Sequence, residues 1–154
     1  RLSEQVALLQ ASGAECVGYN SMLFWDARGN GTNLVRSRNV TPEGWPKMYA
    51  PIGGEAWLYR AINPRHLLGT SLMYWRSAWE RQPFDDGPTG EDTRWLAKLG
   101  SKVLGMESIT TDGEPRMIAS LHGNNSSGYQ PEKDRASSKR VPEFDAYCER
   151  IMRL

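Results

Sequence analysis

The opening thirteen residues, RLSEQVALLQASG, place Leu2, Val6 and Leu9, with neighbouring Ala7, on one face at helical spacing. The pattern predicts a helix over 1–13, with Gly13 positioned to end it in the left-handed conformation. No capping residue precedes Leu2, so the opening reads as cut from something longer. Residues 15–26, ECVGYNSMLFWD, predict a single aromatic-rich strand. A Gly- and Pro-rich interruption follows over 27–55, and AWLYRAI at 56–62 resumes as a strand. These two strands are expected to form a hairpin with the interruption as an insertion at its tip. An irregular stretch that long is unusual in a compact domain and points to a functional or mobile loop.

HLLGTSLMYW, residues 66–75, is a nearly continuous apolar run of strand length, suited to a sheet covered on both faces. SAWERQ predicts a short helix capped by Ser77, PFDDGP breaks it, and TRWLAKL predicts a second helix stopped by Gly100. SKVLGMESI and PRMIASLH each predict a strand, joined by the turn TTDGEP. Residues 123–141 are polar and read as a loop or wrapped tail. Phe144, Tyr147, Cys148 and Ile151 then mark a terminal amphipathic helix. The order of elements predicts an α/β or α+β domain, a mixed sheet flanked by short helices.

The length, 154 residues, suits one domain with one core of ordinary size. No apolar run approaches the roughly 20 residues that span a bilayer, and no signal-peptide pattern opens the chain. A cytoplasmic location is the expectation, with no membrane span. The net charge of +1 gives no whole-protein argument for a nucleic-acid or membrane partner. Cys16 and Cys148 stand far apart without metal-ligand spacing, so two inert thiols are expected. Trp25, Trp57, Trp75 and Trp79 lie in apolar runs and are expected in the core.

The stretch PTGEDTRWLAKLG carries the sharpest chemical question. Thr89 or Asp92 can cap a helix, and carboxylates in a first turn are favoured by the helix dipole, by about 0.3–1 kcal/mol each. The functional alternative makes one carboxylate a general base for an attacking hydroxyl, with the other orienting the acceptor. Context on both sides favours chemistry. A small-residue stretch (GTSLMYW), a short helix, a PFDD turn and then GED with a following arginine resemble family-2 glycosyltransferases of the GT-A fold, bacterial and prophage-encoded members included. The resemblance covers most of residues 1–127.

That resemblance implies specific roles. Asp92 would be the base of an inverting transfer and Glu91 would hydrogen-bond the acceptor. Gly69, Thr70 and Ser71 would line the floor of the site, and Arg94 would grip a carboxylate or phosphate. His122 would help hold a divalent metal ion, manganese or magnesium, on the diphosphate of a nucleotide sugar. The partners would be that nucleotide sugar and a hydroxyl acceptor. Residues 1–122 then form an acceptor-side, glycosyltransferase-like domain with the insertion at 27–55, and 123–154 a polar tail and terminal helix. The nucleotide-binding half and its Asp-x-Asp motif have no counterpart here, since FWDAR around Asp26 does not match. His122 therefore has no evident co-ligands in the sequence, and a chain lacking that half is expected to be inactive alone.

The alternative reading is a non-catalytic interaction module, a small phage protein that binds a host protein or nucleic acid. Its basis is the local excess of Arg28, Arg36, Arg38, Lys47, Arg60 and Arg65 over Glu43 and Glu55. A solvated loop with incidental charge explains the same residues, and nucleic acid is the less favoured partner. The overlapping Asn-x-Ser pattern at 124–127 reads as polar loop.

Overall fold

The computed structural model describes residues 1–26, 54–87, 90–109, 113–121, 133 and 136–152. The fold is α+β, with two mixed sheets and short helices. Its described residues fall into two compact units, one from Arg1–Met22 and Arg60–Met117, the other from Leu23–Tyr59 and Ile118–Leu154.

In the first unit, helix α1 (Leu2–Ser12) ends at Gly13, whose φ of 68° is the predicted left-handed stop. Its inner face buries Gln5 and Leu9, whereas Leu2 and Val6 stay exposed. Strand β1 (Cys16–Tyr19) is fully buried and forms the centre of a three-stranded sheet. It pairs antiparallel with β4 (Met73–Tyr74) and parallel with β5 (Val103–Met106). The register sets Gly18 opposite Gly105.

The strand expected over 15–26 is two strands. After Asn20 the chain continues as β2 (Ser21–Asp26), which joins the other sheet. The cause is visible in the Asn20 backbone. Its N–H donates to Met106 O, extending the β1–β5 ladder, while its carbonyl accepts from Ala61 N. The two peptide groups that flank Asn20 thus serve different neighbours, which no hydrophobic pattern encodes.

The run 66–75 is likewise not one strand. Gly69–Ser71 forms a 3-10 turn, and only Met73–Tyr74 pairs as a strand. Leu68 N–H donates to Tyr19 O, and the Ser71 hydroxyl accepts from Tyr19 N–H at 2.8 Å. A turn and one hydroxyl therefore satisfy the backbone of Tyr19 where an adjacent strand would otherwise do so.

Helix α2 (Arg76–Arg81) starts one residue before the expected cap: Trp75 is the N-cap residue and Ser77 lies inside the helix. Helix α3 (Glu91–Leu99) starts at the carboxylate pair, with Gly90 at its N-cap, and stops at Gly100 as predicted. Trp95, Leu96 and Leu99 are its buried face. They pack with Cys16, Leu67, Ala78 and Val103, and Tyr74 and Phe84 complete an aromatic cluster around the Trp95 ring. The Trp95 indole N–H donates to Gln82 O, so its one polar atom is satisfied inside the core.

In the second unit the strand order is β6-β2-β3-β7, with β3 spanning Glu55–Arg60, β6 Ile118–Leu121 and β7 Ser138–Arg140. The expected pairing of the 15–26 and 56–62 segments holds for β2 and β3, which are hydrogen-bonded neighbours. Strands β5 and β6, both predicted, belong to different sheets. The polar segment read as loop or tail contains β7, which pairs antiparallel with β3 from Tyr59–Ser138 to Trp57–Arg140. The terminal helix α4 (Asp145–Met152) is present, with Cys148 buried against Leu23, Trp25, Ala56 and Val141. Asp145 accepts from Ala56 N–H at 2.8 Å and pairs with Arg140, fixing the helix start to β3 and β7.

Trp25 is buried as expected, and Trp57 is half-buried. Trp75 and Trp79 are not core residues: they remain 43% and 41% exposed, because α2 turns only Ala78 fully inward.

Candidate functional site

Asp92 stands four positions before Leu96 and seven before Leu99, so it shares the helical stripe that buries Trp95, Leu96 and Leu99. A carboxylate thus occupies the N-terminal end of an otherwise apolar face. Asp92 is half-buried. Its Oδ1 accepts from Thr93 N–H at 2.7 Å. Its Oδ2 lies over Gly69, so close that a Cβ built on Gly69 would stand 2.0 Å from it. The carboxylate therefore fills the space that any side chain at position 69 would need. Two segments singled out from the sequence, Gly-Thr-Ser and Gly-Glu-Asp, meet at this point.

The remaining candidates fall at different places. Glu91 is the first residue of α3 and half-buried. Thr70 is exposed, and its carbonyl accepts from Arg1 Nη2 at 3.3 Å. Ser71 is 1% exposed and directed inward: its hydroxyl donates to Leu68 O at 2.7 Å and accepts from Tyr19, while its carbonyl accepts from Gln5 Nε2. Gly69 and Thr70, not Ser71, therefore present the open side of the turn. Arg94 points to the other flank of α3, where it pairs with Asp85 at 3.5 Å and lies beside Gly87.

His122 lies outside the described residues, as do Thr89, the proposed cap, the 124–127 pattern, and Arg28, Arg36, Arg38 and Lys47 of the basic segment. Of the other two basic residues, Arg60 pairs with Glu107 at 3.0 Å, and Arg65 is exposed with its N–H donating to Asn63 Oδ1. Among the described residues no group of three or more His, Cys, Asp or Glu side chains could hold a metal ion. Nor is any helix among them long and apolar enough to cross a membrane.

Cys16 and Cys148 are free and buried. Burial pushes the Cys16 thiol up to about 12; burial, reinforced by the Asp145 charge, pushes Cys148 up to about 11. Neither is a thiolate at neutral pH, so neither serves as a nucleophile.

One arrangement had no counterpart in the sequence reading. Arg81 at the end of α2, Lys98 near the end of α3 and Lys102 in the 3-10 turn Gly100–Lys102 line one cleft of about 130 Å³ with Glu15. Glu15, Arg81 and the Lys98/Lys102 pair come from three separate stretches, so no local spacing announces the whole group. The Glu15 carboxylate is gripped by Arg81 at 2.6 Å and Lys102 at 2.7 Å. The Lys102 hydrogen bond, joined by the Arg81 charge, holds its carboxyl below the usual range. Lys98 binds Asp85 at 2.6 Å and is the leading cause of a similar lowering there. No protein-family model matches the chain, and neither a curated protein nor a solved structure does.

Proposed function

We propose that this chain forms the acceptor-binding, base-bearing part of an inverting glycosyltransferase that uses a nucleotide sugar. The observation that supports it best is the seating of Asp92 against Gly69. A general base must be held near the reacting oxygen by a rigid element, and its approach must be free of obstructing side chains. Trp95, Leu96 and Leu99 pin α3 to the sheet, and the missing side chain at Gly69 makes the room in which the carboxylate sits. The exposed Gly69-Thr70 turn offers a small-residue surface on which a sugar alcohol can rest.

In this reading the acceptor O–H gives its proton to Asp92. The oxygen attacks the anomeric carbon from the face opposite the leaving group, and the bond to the nucleoside diphosphate breaks. Glu91, at the same helix end, orients the acceptor. Asp92 has Glu91 beside it but no metal-ligand set among the described residues. A divalent ion, manganese or magnesium, therefore belongs to the reading with His122 as its one named ligand, and no step assigned to Asp92 runs through it. When bound, such an ion stabilises the departing diphosphate. The two free thiols suit a reducing compartment, so the reading places the reaction in the cytoplasm.

The test follows nucleoside diphosphate release from a panel of sugar nucleotides, with the chain supplied together with a nucleotide-binding partner segment. Asp92→Asn is expected to lower turnover by about 10²–10⁴-fold, the usual contribution of a positioned base. Turnover that survives the substitution, or its absence with every donor, removes the reading.

A further inference from the structure

We infer that the cleft lined by Arg81, Lys98 and Lys102 is a binding site for a dianionic phosphate group, such as a small phosphate monoester. The three cations come from α2, α3 and the 3-10 turn after α3, and converge on one open cleft of about 130 Å³. Against them stand two carboxylates, Glu15 in the lining and Asp85 paired with Lys98 at 2.6 Å, which leaves one of the three positive charges in excess. Asp85 stands beside Lys98 without lining the cavity.

A basic residue in the last turn of a helix is favoured by the dipole alone. The dipole does not require three such ends to face one cavity. Exposure distinguishes the partners further. The side chains of Arg81, Lys98 and Lys102 are 55%, 40% and 56% exposed, whereas Glu15 is 18% exposed. An entering anion therefore meets the cations first, with the carboxylate set behind them holding two of the heads in place. Gln82, also in the lining, adds an amide able to donate to a phosphate oxygen. The small size of the cleft, about 130 Å³, suits a compact anion rather than a long polyanion, which needs an extended basic stripe.

The inference does not depend on the acceptor reading, since none of these residues contacts the Asp92–Gly69 pair in that role. The experiment is a calorimetric titration of the intact chain at low ionic strength with inorganic phosphate, glycerol 3-phosphate and uridine monophosphate, with chloride at matched ionic strength as control. Saturable binding of at least one phosphate compound is expected, about tenfold weaker in Lys98→Gln and in Lys102→Gln. Asp92→Asn is expected to leave it unchanged. Equal affinity for the three compounds means that the phosphate alone is read, and a gain for uridine monophosphate points to a nucleotide source. Lys102 supports Glu15, so a melting curve checks that each variant folds, and Lys98→Gln carries the test if Lys102→Gln does not. Chloride binding as strong as phosphate, an unchanged titration in Lys98→Gln, or a single-stranded oligonucleotide outcompeting every monoester overturns the inference.

Discussion

Asp92 shows how much one side chain's position depends on a missing one. Its Oδ2 sits where a methyl group on residue 69 would be, at 2.0 Å from the ideal Cβ, with Asp92 Cγ at 2.9 Å and Cβ at 3.2 Å. Rotating the carboxylate away relieves the first contact but not the last. Gly69→Ala is therefore expected to destabilise the protein by about 1–3 kcal/mol, the usual range for overpacking. The cost should shrink by at least about 0.5 kcal/mol when Asp92 is also replaced by alanine, because neighbours that collide are not additive. Urea denaturation of the two single variants and the double variant measures this. Equal costs with and without the carboxylate would mean that the two residues do not touch. The GED stretch was legible in the sequence, and so was the clue that Asp92 continues the stripe of Trp95, Leu96 and Leu99. Its partner was not, because 23 positions separate Gly69 from Asp92 and only the packed helix closes that gap.

At the scale of elements, α3 is the piece on which both candidate sites rest. Its first turn carries Glu91 and Asp92, and its last carries Lys98. The helix is held by Trp95, which is fully buried among Tyr74 and Phe84 and donates to the Gln82 carbonyl. Trp95→Ala is expected to cost about 3–5 kcal/mol from the cavity and lost transfer energy, with Gln82 O left unpaired as well. Trp95→Phe keeps most of the volume but loses the N–H, and should cost less. Thermal or chemical denaturation ranks the two; a loss below about 1 kcal/mol for the alanine variant would show that α3 is anchored elsewhere. The helix was expected from 93 and begins at 91, since Gly90 rather than a side-chain cap opens it. The apolar run 66–75 misled for a different reason: Leu67 is buried just before the 3-10 turn, and burial beside a turn gives the same apolar signature as burial in a strand.

For the molecule as a whole, acid is the condition that loosens the first unit. Glu15 and Asp85 both have lowered pKa values, set first by Lys102 and Lys98 respectively. A depressed carboxyl stabilises the folded state above its ordinary value and loses that contribution as pH falls through the lowered, folded-state value. The ordinary values are 4.5 for Glu15 and 3.8 for Asp85, so stability should decline progressively below these. Melting temperature measured from pH 6 to pH 2 should fall, more gently in Glu15→Gln, which has no charge to lose there. A Glu15→Gln curve parallel to that of the parent would show that the Arg81 and Lys102 pairs do not stabilise the fold. The surface pair Arg60–Glu107, with both side chains about half exposed, should contribute only about 0–1 kcal/mol to the same balance.

The sequence by itself determined the inventory: α1, α2, α3 and α4, strands β3, β5 and β6, the stop glycines Gly13 and Gly100, and the carboxylate pair that opens α3. These follow from periodicity and from glycine's access to positive φ, which act over a few neighbouring residues. Tertiary structure alone decided the rest. It broke the 15–26 strand at Asn20 and sent its halves to different sheets, and it made β7 from a polar segment by offering it the edge of β3. It also set Asp92 over Gly69 and gathered Arg81, Lys98, Lys102 and Glu15 around one cleft. Backbone hydrogen bonds and ion pairs are satisfied by whichever partner packing brings within about 3 Å, and a linear pattern carries no record of partners that far along the chain.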